Sequence, residues 1–215
     1  MAILVKKQIM KRIKEGGLSF SPGLDEFQLQ SHSIDLRLGY TFMVPKVSHV
    51  TAAGRQALSL DYLSQDRPKY FEVIELERGQ HFEILPHEHI LVSTLETVKL
   101  PNDLMAVLYP RSSTNRKGLS VDLSGIVDAG YEGQLIIPVR NNTGGQVVKL
   151  YPGERFCQLV FEELAESVEP KLSRYHKKDV IAGVIGEGSS PENELIAKGD
   201  IEELKKRFPL SENPL

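Results

Sequence analysis

Tryptophan is absent from this chain of 215 residues, cysteine occurs once, at Cys157, and aromatic residues make up only 7%. A single thiol excludes an intramolecular disulfide and a cysteine zinc cluster. A surplus of basic charge is also missing: the net charge is −3 and the pI about 6.1. No nucleic-acid partner is therefore expected, and a phosphate-bearing ligand should be small and held by local donors. No apolar run approaches the roughly 20 residues that cross a bilayer, so no membrane association is expected. The N-terminal MAILVKKQIMKRIKEGG interrupts its apolar start with Lys6, Lys7, Lys11 and Lys14, and no small-residue cleavage site follows. It does not read as a secretion signal, which makes a cytoplasmic location the expectation. What is present, 40% hydrophobic and 26% charged residues, suits a soluble globular protein.

Val5, Ile9 and Ile13 recur at helical spacing before Gly16-Gly17, which predicts one amphipathic N-terminal helix. From Leu18 to about Leu164 the texture changes to short alternating or β-branched runs: SIDLRLGYTFMV, YFEVIEL, HFEILP, HILVSTLETVKLP, LMAVLYP, QLIIPVRN, QVVKLYP and RFCQLVFEEL. Proline, glycine and asparagine separate them. Many short strands at even spacing predict a mainly β domain, a sandwich, jelly roll or barrel, over residues 1–170. The cluster Asn141-Asn142-Thr143-Gly144-Gly145 reads as a hairpin turn, and residues 52–69 as a long connection. Residues 171–215 read as a tail with a glycine-rich stretch, Gly183 to Ser190, and one short surface helix through Ile201, Leu204 and Phe208.

The chemistry concentrates in residues 109–141. Pro110 closes a strand, and Arg111, Ser112, Ser113 and Arg116 follow with guanidinium and hydroxyl donors suited to a polyphosphate. A bare RSS turn is more often only a solvated loop. Asp128 follows the apolar Ile126-Val127 and precedes Ala129-Gly130 and Tyr131. A carboxylate there suits activation of a water, and the tyrosine ring suits packing on a sugar face. The bland alternative is an Asx turn with Tyr131 in the core. His87 and His89 alternate in PHEHI without a visible third metal ligand, and Cys157 sits in a core-like strand.

PRSS with Arg116, then GIVDAGYEG, then PGERFCQLVF, resembles the superfamily of trimeric dUTP diphosphatases and dCTP deaminases. The N-terminal helix, QSHSIDLRLG and LVSTLETVKLP are similar to the deaminase branch. The resemblance covers about residues 3–164 and implies a distorted jelly-roll (β-clip) fold and a homotrimer with active sites between subunits. It implies that Arg111, Ser112, Ser113 and Arg116 hold phosphates, and that Tyr131 packs on the deoxyribose. Gln158 would lie at the nucleotide end, and Asp35 near a Mg²⁺ ion held mostly by water and phosphate.

The two branches differ in the bond they break. Deaminases of this kind carry a proton-shuttling glutamate in the strand after the Asp/aromatic block. Here Pro138 stands in that place, and Asp122-Leu123-Ser124-Gly125 replaces their H-x-T-A pattern. The expectation is therefore a dUTP diphosphatase in which Asp128 is the general base. Conversion of dCTP to dUTP, a bifunctional deaminase/diphosphatase, and a catalytically silent nucleotide-binding trimer are the alternatives.

Overall fold

A computed structural model describes residues 2–59, 61, 63, 70–121, 125–169 and 192–209. The glycine-rich stretch Gly183 to Ser190 and the Asp122-Leu123-Ser124 segment lie outside the described residues. The N-terminal helix α1 (Lys6–Lys14) forms as its periodicity predicts. Its N-cap is Val5, which has no side-chain oxygen, so the Gln8 side chain reaches back 3.0 Å to accept the Val5 N–H. Ile9 is fully buried on the inner face, a burial that contributes about 2 kcal/mol. Arg12 anchors the helix by donating to Asp103 at 2.7 Å and Glu163 at 2.9 Å.

The body is one curled antiparallel sheet built from β1 (Ser19–Ser21), β2 (Ile34–Pro45), β5 (Phe71–Glu75), β7 (His89–Lys99), β8 (Leu104–Pro110), β9 (Leu119–Val121), β10 (Gly125–Val127), β11 (Glu132–Asn141) and β13 (Arg155–Glu163). Their order is β10-β8-β13-β2-β7-β11-β9, with β1 added to β7 and β5 to β2. The two long strands change partners part-way. β2 pairs with β13 through residues 34–37 and with β5 through residues 41–45. β7 pairs with β2 through residues 91–94 and with β1 through residues 97–99. Such forks let the sheet wrap one core, in which Leu36, Phe42, Ile90, Phe156 and Phe161 are buried. Gly39 lies where β2 crosses β7: a Cβ there would sit 2.8 Å from the Thr94 carbonyl oxygen. Glycine is required by that close approach.

Three expectations are corrected. The stretch read as a connection, residues 52–69, begins with the turn and second strand of a hairpin, β3 (Ser48–Thr51) with β4 (Gly54–Ala57), which the polar sequence concealed. The Asn/Gly cluster does not close a hairpin, because β12 (Val148–Leu150) pairs with β6 (Phe82–Ile84) rather than with β11. There the buried Asn141 side chain donates to the Ile84 and Gln146 carbonyls and accepts the Thr143 N–H, fixing a loop between two sheets. Among its described residues the tail carries two helices, α3 (Asn193–Lys198) and α4 (Ile201–Arg207), where one was expected. Gly199, at φ 72°, ends the first, and the Asp200 carboxylate caps the second. No helix among the described residues is long and apolar enough to cross a membrane.

Candidate active site

Strand β8 delivers the phosphate-type turn. After Pro110 the chain leaves the sheet, and Arg111 becomes the extended N-cap of α2 (Ser112–Arg116). Thr114 pins this helix from below, its buried hydroxyl donating to the Phe156 carbonyl at 2.9 Å. Ser112 and Arg116 are left exposed and Ser113 half-buried. Gly118, at φ 82°, turns the chain into β9.

The neighbouring strands complete the cluster. In β2, Asp35 is almost wholly buried, and in β13 Gln158 stands opposite both Asp35 and Tyr109. Asp35 Oδ2 lies 3.0 Å from Arg111 Nε and 3.2 Å from Arg155 Nη1. Arg111 also donates to the Arg155 carbonyl, and Arg155 to the Phe27 carbonyl. Gln158 accepts a long bond of 3.4 Å from the Ser33 hydroxyl. Burial pushes the Asp35 carboxyl above its ordinary range, while Arg111 and Arg155 pull it back. Two guanidiniums on one carboxylate leave the cluster net positive, which suits an anion with several oxygens. Arg155 was not singled out from the sequence. Its position in PGERF, opening the strand that carries Gln158, was the available signal.

Asp128 and Tyr131 do not join this cluster within the chain. Val127 pairs with Ala106, toward the start of β8, whereas Arg111 follows its end. Six residues of strand at about 3.3 Å each separate the two places by on the order of 20 Å. The Asp128 side chain is exposed, and its turn closes through the backbone, Tyr131 N–H donating to the Asp128 carbonyl at 3.1 Å. The Asx alternative is thereby replaced by a main-chain turn.

Tyr131 packs its half-buried ring against the core and donates its hydroxyl to the Gln134 carbonyl at 2.7 Å. Burial raises its pKa to about 12, so the phenol stays neutral. A Cβ at Gly133 would come within 2.9 Å of the Tyr131 hydroxyl, so the glycine makes room for that ring.

Pro138 stands in mid-β11 opposite Leu91, on the face shared with Ile136. Ile136 packs against Met43, as Phe71, Val73 and Leu91 do, and no acid is supplied from position 138. His87 lies in a turn at φ 64° and His89 opens β7, so the two do not share a strand face. Among the described residues no group of three His, Cys, Asp or Glu is placed to hold a metal ion. Cys157 is fully buried, and burial together with Glu96 and Asp35 pushes its thiol far above the ordinary range, so it is a core residue.

A forked, curled β sheet with an arginine-serine turn beside a buried aspartate defines the class. Residues 3–164 match the family model described as dCTP deaminase-like. The chain belongs to that family and has a mainly β fold. It is 39% identical over 170 residues to a protein of Methanobrevibacter smithii named "dCTP deaminase, dUMP-forming", covering 79% of this chain and 84% of that one. A Dictyoglomus thermophilum protein of the same name is 39% identical over 179 residues, covering 82% and 86%. Among solved structures, the 2'-deoxycytidine 5'-triphosphate deaminase of Agrobacterium tumefaciens is similar in fold, with a TM-score of 0.55 and 23% identity. That match covers 74% of this chain and 47% of the other.

Proposed function

We propose that this protein forms dUMP from a pyrimidine deoxynucleoside triphosphate, releasing pyrophosphate, at a site shared between neighbouring copies in a homotrimer. The observation that carries the proposal is the Arg111–Asp35–Arg155 cluster beside Ser112 and Ser113. It offers forked donors for a triphosphate but has no base for hydrolysis. The exposed Asp128 is the base, supplied by the adjacent copy together with Tyr131, because the two groups are too far apart in one chain.

In the reaction Asp128 takes a proton from water as the water oxygen bonds to the α-phosphorus. The bond from that phosphorus to the bridging oxygen breaks, and pyrophosphate leaves with its growing charge held by Arg111, Arg116 and Arg155. Ser112 and Ser113 fix the phosphate oxygens, Tyr131 backs the sugar, and Gln158 orients the nucleotide. Among the described residues no acidic cage is placed for an ion, so Asp35 would hold Mg²⁺ through water, with the triphosphate supplying the remaining oxygens. When bound, the ion neutralises phosphate charge.

Whether dCTP enters the same route is the finer question. The relatives' names, dUMP-forming dCTP deaminases, support the two-step alternative, deamination then cleavage, better than the diphosphatase alone expected from the sequence. One residue weighs the other way: Pro138 replaces the glutamate that the resemblance places in this strand. Deamination would have to draw its proton transfers from another group.

The test is to incubate the purified protein and Mg²⁺ with dUTP and, separately, dCTP, and to resolve the products by ion-exchange chromatography. dUMP and pyrophosphate from dUTP are expected. Ammonia and dUMP from dCTP would establish the two-step reading. Nucleotide binding without turnover of either would leave the silent trimer, and the proposal would be wrong.

A further inference from the structure

One buried acid has no part in the chemistry above. Glu96 is 1% exposed and lies on β7 between Thr94, where β2 leaves the strand, and Thr97, where β1 joins it. At this fork β7 no longer offers a backbone acceptor to β2. The Glu96 carboxylate fills the gap: one oxygen accepts the Arg37 N–H at 3.0 Å and the other accepts from Gln28 Nε2 at 2.7 Å. The same Gln28 Nε2 donates to the Asp35 carbonyl at 2.9 Å, and the Gln28 carbonyl accepts the Asp35 N–H at 2.8 Å. Both peptide groups of Asp35 are thus gripped by Gln28, and Gln28 is held by Glu96.

We infer that Glu96 is a positioning residue for the phosphate site, acting through Gln28 and Arg37 to fix the Asp35 backbone and, through Asp35, the guanidiniums of Arg111 and Arg155. The inference rests on the reading of that cluster as an anion site. A buried carboxylate is costly when its donors are neutral, and a sheet fork needs only an acceptor there. What the carboxylate adds is two acceptors at once. Glutamine at 96 keeps one and turns an N–H group on either Gln28 or Arg37, so one of the two links is lost.

The chain of bonds can be separated by variants. Glu96→Gln breaks the link to Gln28. The double variant Glu96→Gln with Gln28→Glu rebuilds the side-chain pair in reverse but removes the donor to the Asp35 carbonyl. If Glu96 only satisfies the core, the swap restores ligand binding along with the stability of the rebuilt pair. If it positions Asp35, the swap recovers the stability of that pair, less the cost of the Asp35 carbonyl left without its donor, and none of the binding.

Inorganic tripolyphosphate is the probe, titrated calorimetrically into the full chain, with stability followed by urea unfolding. The expected result is binding about tenfold weaker than wild type in both variants, the loss of one buried bond to a charged group, with stability recovered in part in the swap and not in the single variant. A swap variant that binds as tightly as wild type overturns this inference alone. Wild type that fails to bind tripolyphosphate overturns the anion-site reading and the inference with it.

Should the variants fail to fold, amide exchange in the wild type decides. Linkage requires tripolyphosphate to slow exchange of the Arg37 amide more than that of Val139 on β11. Equal slowing of the two would contradict the inference.

Discussion

Arg111 and Asp128 stand at opposite ends of β8: Arg111 follows its last residue, while Asp128 follows Val127, which is paired with Ala106 near its start. A water activated by one could not reach a phosphate held by the other within a single chain. The separation gives the shared site a direct test. Arg111→Ala and Asp128→Asn are each expected to abolish pyrophosphate release. Unfolding and refolding an equal mixture should restore about a quarter of wild-type activity, since a random trimer pairs the two intact halves at one interface in four. A mixture as inactive as its parents would place the whole site in one chain.

Replacing Arg111 by lysine keeps the charge but removes the fork that meets both Asp35 and the Arg155 carbonyl. We expect kcat/KM for pyrophosphate release to fall by roughly tenfold or more, with the fold intact. Steady-state kinetics with circular dichroism checks this. A lysine variant of near wild-type efficiency would mean that Arg111 acts only as a point charge.

Gly39→Ala places a methyl group 2.8 Å from the Thr94 carbonyl and into the Ser93 hydroxyl. Two strands must move apart in the middle of the sheet, and a loss of about 2 kcal/mol is expected in urea unfolding. An unchanged midpoint would show that the β2–β7 crossing yields more easily than its spacing suggests.

Glu96 gives the stability a pH dependence of known sign. Burial outweighs its hydrogen bonds from Arg37 and Gln28 and raises its pKa above 4.5. The folded chain therefore holds this proton more tightly than the unfolded one. Its stabilising contribution is complete below pH 4.5 and is lost as pH rises through the folded value. The charged group that acts on it is Arg37, whose guanidinium favours the ionised form but is outweighed by burial. Unfolding curves of wild type and Glu96→Gln across a pH series should show the stability difference, wild type minus variant, decreasing as pH rises above 4.5. Parallel curves would contradict the assignment.

Much of this molecule was legible from short-range pattern. The spacing of Val5, Ile9 and Ile13 forecast α1, and the alternating runs forecast the main strands of the sheet. Turn chemistry misled at Asn141, whose side chain bridges two sheets, a role that depends on strands distant in sequence. The hairpin β3–β4 escaped notice because its residues are largely exposed and carry little hydrophobic alternation.

By itself the sequence determined the family, since the family's motifs are contiguous runs that survive in linear order. It also marked the side chains whose donors and carboxylates suit phosphate and water chemistry, on which the proposed function rests. Only the tertiary structure decided how they divide. Pairing of β2, β8 and β13 gathers Asp35, Arg111, Arg155 and Gln158, residues that no local spacing connects. The antiparallel return of β10 along β8 carries Asp128 and Tyr131 away from that cluster, although they follow Arg111 closely in the chain. Strand register, set by burial of one face against a common core, is a property of the whole sheet, and it separates what the sequence had placed side by side.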